Sequence, residues 1–284
     1  MAFLPDEAAA CRTLVELAMA EDLGRFGDRT SRALIPADQP GRAAFVARTN
    51  GVVAGLPAAA MVCEKLQFKT KIEDGAIVSR GTVLALASGS LREILAAERT
   101  ALNFLQRLSG VATLTRKFVD AVAGTSAKIL DTRKTTPGWR LLEKYAVRMG
   151  GGTNHRIGLF DGILIKDNHL AGLNGDVRAA VRMARDAAGN ETFSVEVEVD
   201  TLEQLDAALV EFADIVLLDN MPADMMREAV KRRNAASPDT KLEASGGVNL
   251  DTVRAIAETG VDRISVGALT HSAPALDIAL DYAA

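Results

Sequence analysis

Residues 193–219 read FSVEVEVDTLEQLDAALVEFADIVLLD. A β-branched run, FSVEVEV, passes into TLEQLDAALVEF, whose apolar residues recur at helical spacing, and then into IVLL. Strand, helix, strand at this interval is the unit that joins two parallel strands through a crossover. The same alternation extends both ways through the chain after Gly124. Upstream, AKIL precedes a helix through WRLLEKYAVRM, and GILI precedes DVRAAVRMARDAA. Downstream, ADMMREAVKRR follows IVLL, KLEAS precedes LDTVRAIAETG, and RISV precedes a final helix in PALDIALDY. Six such strands, or seven, indicate a (β/α) barrel smaller than the usual eight. An open doubly wound sheet is the alternative, weakened because no GxGxxG follows the first strand.

The region before Gly124 has a different texture. LVELAMAEDLG is helical and stops at Gly24. GRAAFVART, GVVAG, KTKIEDGAIV and GTVLALASG are short β-like runs punctuated by glycine. LREILAAERTALNFLQRLSGVATLTRKFVDAVAG is a long helical stretch with an expected break near Gly110. At 284 residues and 48% hydrophobic, the chain supports one large domain or two ordinary ones. A net charge of −4 gives no basic field for nucleic acid. Two distant cysteines, Cys11 and Cys63, imply a reducing compartment. No membrane span or secretion signal is legible, so a soluble cytoplasmic protein is expected, and the sequon at Asn190-Glu191-Thr192 carries no weight.

In parallel β/α folds the site sits at the C-terminal ends of the strands. AKIL ends in Asp131-Thr132-Arg133-Lys134, the start of DTRKTTP, and GILI ends in Lys166-Asp167-Asn168-His169. FSV runs into Glu196 and Glu198, IVLL ends in Asp219-Asn220, KLEA in Ser245-Gly246-Gly247, and RISV in Gly267. One polar strand end is ordinary; a series of them indicates a convergent pocket. Between Lys128 and His169 the local charge is +4, in a chain whose total is −4. Arg140, Lys144 and Arg148, spaced by four, read as a solvated basic helix face. Arg133, Lys134, Arg156 and Lys166 lie at strand ends or in the loop GGGTNHRIG, where they suit a small polyanion. His155, beside Arg156, reads as a ligand contact. Gly150-Gly151-Gly152 reads equally as a tight loop or a helix C-cap. SGGVN, with a helix expected from Asn249, is a phosphate-cradle candidate, and VGA is a second glycine turn. Glu198 and Asp219, ending adjacent strands, suit either Mg²⁺ or ion pairs. Glu196 shares the face of Glu198, and one of the two would pair with Lys166 or Arg133 if that face is interior.

DTRKTTPGWRLLEKYAVRMGGGTNHRIGLFDGILIKDNHL resembles the core of the quinolinate phosphoribosyltransferase family. EVEVDTLEQLDAAL, LLDNMP, LEASGGVNL and VGALTHSAPALDIAL resemble later family segments in order, and EDLGRFGDRTS and ERTALNFLQRLSGVAT its N-terminal part. The resemblance implies an α/β chain: an open (β/α) barrel of fewer than eight strands with an N-terminal α/β sandwich domain. The sandwich would span residues 1–110, joined by a C-terminal helix over 271–284, and the barrel residues 111–270. It implies transfer of phosphoribose from 5-phosphoribosyl-1-pyrophosphate (PRPP) to quinolinate with loss of CO₂ and Mg²⁺ as cofactor, a step of de novo NAD synthesis. By motif, Thr132, Arg133, Lys134, His155, Arg156 and Lys166 would line the quinolinate pocket. Arg99 would reach in from the neighbouring subunit of a homodimer or higher oligomer. Glu198 and Asp219 would hold the ribose hydroxyls and Mg²⁺. Ser245, Gly246, Gly247, Val266, Gly267 and Ala268 would hold the 5′-phosphate. Lys134 or His155 would protonate the decarboxylated ring.

Other readings separate on the same residues. A nicotinate phosphoribosyltransferase has one fewer substrate carboxylate to bind and less need for the cations. The intact TRK and NHR motifs argue against a molybdenum-transport-associated homologue. A Schiff-base aldolase built on Lys166 has no use for four further cations, and a phosphate-binding module would bind without turnover.

Overall fold

Pro5 presets the backbone of a first helical turn, Asp6 and Glu7 complement its dipole, and the Leu4 amide donates to Glu7 Oε2 at 2.9 Å. The helix that results, α1 (Pro5–Leu23), runs to Gly24, as the sequence suggests. The computed structural model describes residues 3–189 and 193–283; the sequon at 190–192 lies outside them. After α1 come α2 (Arg29–Leu34), β1 (Pro40–Ala47), β2 (Gly51–Val52), α3 (Leu56–Val62), β3 (Gln67–Thr70), β4 (Ile77–Val78), β5 (Val83–Ser90) and α4 (Leu91–Ala121). Alternation then sets in with β6 (Lys128–Leu130), α5 (Arg140–Met149), β7 (Ile163–Ile165), α6 (Asp167–Ala171), α7 (Val177–Ala188), β8 (Val195–Val199), α8 (Leu202–Val210) and β9 (Ile215–Asp219). It continues through α9 (Ala223–Ala236), β10 (Lys241–Ser245), α10 (Val253–Ala257), β11 (Arg263–Ser265), α11 (Ala268–His271) and β12 (Ile278–Ala283). The chain divides into two units. One holds Met1–Arg116, Lys134–Gly151 and Leu269–Ala284; the other holds Lys117–Arg133 and Gly152–Ala268.

The first unit is built on an antiparallel sheet of order β12-β1-β5-β3. The helix expected at 271–284 is instead β12, with Leu280 opposite Phe45 and Ile278 opposite Ala47. Ile278, Leu280 and Tyr282 alternate with Ala279 and Asp281, a period of two that pairing with β1 satisfies. The expected break near Gly110 is also absent, because α4 is continuous there. A Cβ on Gly110 would lie 2.1 Å from the Pro274 carbonyl oxygen, so the glycine admits a close backbone approach. Nor is α5 a solvated basic face. Lys144 is 1% exposed, Arg148 donates to Glu7 Oε1 at 2.6 Å, and Arg140 Nε donates to Thr135 Oγ1 at 3.1 Å.

The second unit is an all-parallel sheet of order β6-β11-β10-β9-β8-β7. The strands that begin and end this order, β6 and β7, do not pair, so the barrel is open. Val195, Val197 and Val199 are buried on the face that meets α7 and α8. Glu196 and Glu198 therefore point to the opposite, interior face. Register carries that face across the sheet: Leu164 and Lys166 follow the parity of Glu196, and Ile215, Leu217, Asp219, Glu243, Ser245, Arg263 and Ser265 lie on it. At the seam, residues 153–156 take the place of a strand. Thr153 bridges Leu130 in parallel, its amide donates to the Ile129 carbonyl, and Arg156 Nη1 donates to the Gly162 carbonyl at the start of β7.

Candidate active site

The end of β6 organises the seam. Asp131, fully buried, accepts from the His155 amide at 2.9 Å and from Asn154 Nδ2. Two residues on, Arg133 places a buried Nε that has no hydrogen-bond partner among the described residues. Arg156, on the anchored loop, is charged beside it. Burial and then the Arg133 guanidinium hold the Arg156 pKa below its ordinary value. Two guanidiniums that repel each other, one with a buried donor unused, suit an anionic ligand.

His155 points into the barrel. Its Nε2 lies 3.1 Å from Glu196 Oε2 and 3.4 Å from Glu243 Oε1, and its Nδ1 accepts the Arg156 amide at 2.8 Å. Glu243 in turn holds Arg263 Nε at 2.6 Å. Burial works against the imidazolium, but the two carboxylates outweigh it and push the ring up towards about 9. The Arg156 amide opposes that push directly, since an Nδ1 that accepts a hydrogen bond carries no proton. The geometry is therefore that of a neutral ring with its proton on Nε2. Of the two carboxyls, Glu196 is pushed up by burial, with Glu243 adding to the push. Glu243 is held down, because His155 and Arg263 together outweigh its burial.

Of the two interior glutamates, one pairs with a pocket cation as expected, and Glu196 meets His155. The expected pair is Glu198 with Lys166, whose Nζ donates to Glu198 Oε2 at 2.7 Å. Glu198, Asp219, Asp167, Asp200 and Gln204 line a cavity of about 310 Å³, while His155, Arg156, Glu196 and Arg263 line another of about 330 Å³. Asp219 accepts from Asn220 Nδ2 at 2.8 Å, and the Asn220 amide donates to the Ser245 carbonyl, which ties the end of β9 to the glycine turn after β10. Gly246 and Gly247 have φ +94° and +59° in succession, and a Cβ on Gly246 would strike Asn220 Oδ1. The helix expected from Asn249 begins only at Val253. Asn249 Oδ1 accepts from the Asp251 and Thr252 amides and its own amide donates to Thr252 Oγ1, a turn that delays the helix. The candidate cradle is a glycine turn without a long helix behind it. Across the sheet, the Val266 amide donates to the Leu130 carbonyl, and Gly267 and Ala268 follow. Thr132 lies between Asp131 and Arg133.

Arg99 and Lys134 belong to the first unit. Arg99 is exposed on α4, and the exposed Lys134 accepts at its carbonyl from Thr270 Oγ1 at 2.8 Å. Sequence reasoning did not single out Glu243 or Arg263. Strand parity contained a signal for the first, since Glu243 shares a face with Ser245 of the glycine turn. Among the described residues no helix is long and apolar enough to cross a membrane.

Residues 28–109 match the N-terminal domain of quinolinate phosphoribosyl transferase and residues 111–281 its C-terminal domain. The nicotinate-nucleotide pyrophosphorylase [carboxylating] of Mycobacterium leprae (strain TN) is 47% identical over 282 residues, 97% of this chain and 98% of the relative. A probable enzyme of the same description from Bacillus subtilis (strain 168) is 44% identical, over 92% of this chain and 89% of the relative. The solved nicotinate-nucleotide pyrophosphorylase from Francisella tularensis superposes with a TM-score of 0.91 at 39% identity, covering 97% of both chains. With both domains matched and relatives this similar end to end, the chain belongs to the quinolinate phosphoribosyltransferase family.

Proposed function

We propose that this chain transfers phosphoribose from PRPP to quinolinate, releasing pyrophosphate and CO₂ and leaving nicotinate mononucleotide. The observation that carries the reading is the pair Arg133 and Arg156, two mutually repelling guanidiniums, one with a buried donor that has no partner among the described residues. Quinolinate brings two adjacent carboxylates, and each charge-assisted hydrogen bond to them contributes about 1.5–3 kcal/mol. Thr132, Lys166 and the loop carrying His155 complete that side of the pocket, and Lys134 and Arg99 supply further cations. Arg99 acts from a second copy in a homodimer. Ser245, Gly246, Gly247, Val266, Gly267 and Ala268 hold the 5′-phosphate, with Gly246 and Gly247 turned to a backbone conformation that frees their amides.

Glu198 and Asp219 receive the ribose hydroxyls. Both are carboxylates lining one cavity, and with Asp167 and Asp200 beside them they fit Mg²⁺, which keeps most of its water and takes one or two protein oxygens. When bound, Mg²⁺ supplies charge that offsets the departing pyrophosphate. The chain's own residues do the rest. Glu198 and Asp219 orient the ribose and face the positive charge that develops on it. Arg133 and Arg156 hold quinolinate so that its ring nitrogen meets the anomeric carbon. After the bond forms, the quaternary ring carries the electron pair left by CO₂, and a cation close by stabilises it. His155 directs its Nε2 proton at two carboxylates, which leaves Lys134 as the residue to protonate the ring. The cytoplasm suits a chain whose two cysteines are both free.

An aldolase on Lys166 is disfavoured, because its Nζ is engaged by Glu198 at 2.7 Å and a Schiff base needs a free amine. The deciding assay supplies quinolinate or nicotinate with PRPP and Mg²⁺. Nicotinate mononucleotide and CO₂ from quinolinate alone is the expected outcome. No product from either, in folded protein, would sink the reading. Lys134→Met is expected to reduce turnover with little change in quinolinate binding; near-normal turnover would remove Lys134 from the proton step.

A further inference from the structure

The interior of the barrel below the mouth holds four charged or ionisable groups from four places in the chain: His155, Glu196, Glu243 and Arg263. They occupy the level where the missing strand pairing between β6 and β7 leaves the barrel open. His155 enters from the seam loop, Glu196 from β8, Glu243 from β10 and Arg263 from β11. Glu196 is 2% exposed and Glu243 fully buried, and Oε1 of each has no hydrogen-bond partner among the described residues. Leaving such oxygens under-satisfied is costly, so their arrangement needs a reason beyond packing.

One candidate reason is a cation. His155 Nε2 and one oxygen from each glutamate lie within 4.8 Å of one another. The other ring nitrogen argues against it. Nδ1 accepts the Arg156 amide, so the proton resides on Nε2, and a protonated nitrogen is a donor to carboxylates and no ligand for a metal. The geometry has a different consequence. The ring is held from both ends: Glu196 Oε2 faces its Nε2 at 3.1 Å with the charge of Glu243 3.4 Å away, and the Arg156 amide sits on the other side. The loop on which it stands is pinned to Asp131 through the His155 amide, and Arg156 is pinned through Nη1 to the Gly162 carbonyl.

We propose that Glu196 and Glu243 are positioning residues for the quinolinate pocket: they hold His155 in the tautomer protonated at Nε2, and through the ring they fix the backbone and hence the guanidinium of Arg156. Arg263 keeps Glu243 aimed at the ring, while Glu196 presents its Oε2 alone, which makes Glu196 the more direct probe. The inference rests on the assignment of Arg156 to the quinolinate pocket.

The test uses full-length protein carrying ¹⁵N-histidine. The chain has three histidines, so long-range ¹H–¹⁵N spectra are simple, and His155→Gln identifies the His155 signals. At neutral pH the wild-type ring is expected to show a protonated Nε2 and a bare Nδ1. Glu196→Gln and Glu243→Gln are expected to abolish that single-tautomer pattern. In steady-state assays Glu196→Gln is expected to raise the KM for quinolinate about ten-fold or more, within the ~10²-fold cost of a small misplacement, while the KM for PRPP stays within about two-fold. A wild-type ring protonated at Nδ1 overturns the proposal, as does loss of the Nε2 proton on adding Zn²⁺. So does a folded Glu196→Gln protein with an unchanged spectrum, or with both KM values moved equally. Should either variant not fold, the wild-type spectrum still decides. Wild-type protein that does not turn over quinolinate would sink the functional reading instead, and the tautomer then decides this proposal alone.

Discussion

Gly246→Ala is the substitution whose cost is most directly worked from the geometry. A Cβ at this position would lie 2.1 Å from Asn220 Oδ1, 2.5 Å from its Cγ and 3.0 Å from its backbone nitrogen. The side chain can swing away. The backbone nitrogen is held by its hydrogen bond to the Ser245 carbonyl at 2.9 Å and has little room to move. Swinging the side chain gives up the bond from Nδ2 to Asp219, about 1 kcal/mol net. Holding alanine at φ +94° costs about 1–2 kcal/mol more. Together that is about 2–3 kcal/mol, imposed at the glycine turn proposed to cradle phosphate and next to Asp219, proposed to face the ribose.

If the strain is relieved by opening the turn, the KM for PRPP rises roughly 30-fold or more, at about 1.4 kcal/mol per factor of ten. If it is retained, Tm falls by about 4–10 °C for a chain of this size. Gly247→Ala is the control. Its φ is +59° and nothing lies within 4 Å of the added carbon, so only the backbone preference is lost. Steady-state kinetics with PRPP varied at saturating quinolinate, alongside calorimetry, read both effects. Gly246→Ala should be clearly the worse of the two for PRPP, with quinolinate binding spared in both. Equal KM values for PRPP in the two variants would refute the steric argument.

Three further outcomes follow from single contacts. Arg133→Lys keeps the charge but loses the planar fork, and is expected to weaken quinolinate binding about ten-fold or more; an unchanged KM would remove Arg133 from the carboxylate site. Gly110→Ala sets a methyl group against the Pro274 carbonyl and is expected to cost about 1–3 kcal/mol of stability, read as a lower Tm without a change in either KM. Asp74 accepts from Tyr145 Oη and from the Gly55 and Leu56 amides, yet burial outweighs them and pushes its carboxyl above the ordinary 3.8. An acid raised on folding stabilises fully below its unfolded pKa and loses that contribution as pH rises through the folded value. Relative to Asp74→Asn, the wild-type protein should therefore lose unfolding free energy as urea melts move from pH 4 upward; a gain would reverse the assignment.

The barrel was legible because its strands are apolar runs of β-branched residues at near-constant spacing, and the mouth was legible because polar residues interrupt those runs at one end. What escaped depends on partners distant in the chain. Whether IALDYA is helix or strand is decided by the edge of β1, more than 230 residues earlier, and local composition does not carry that information. Gly110 reads as a breaker until Pro274 is known to press on it. Lys144, one of three basic residues at helical spacing, reads as solvated until α5 is packed. Asn249 delays α10 through an Asx turn, a preference that a search for helix starts reads the other way.

The same distance principle explains why the residues beneath the mouth were harder to find than those around it. A closed eight-stranded barrel fills its interior with layers of aliphatic side chains. Here the interior level of Glu196, Glu243 and Arg263 is charged, and the seam supplies a histidine to complete it. Burying such groups is weak evidence for stability, since an apolar set of the same volume often serves a core as well or better. The open seam removes the geometric need for a complete aliphatic layer, and it also brings a loop, rather than a strand, to the edge of the pocket. A loop that carries Arg156 needs anchoring that a strand obtains from its ladder. Asp131 anchors its backbone from β6 and the Gly162 carbonyl anchors its guanidinium from the β7 side, while the two glutamates grip its imidazole from within. The charged interior is thus the counterpart of the missing strands: buried carboxylates do for one loop what backbone hydrogen bonds do for the rest of the barrel.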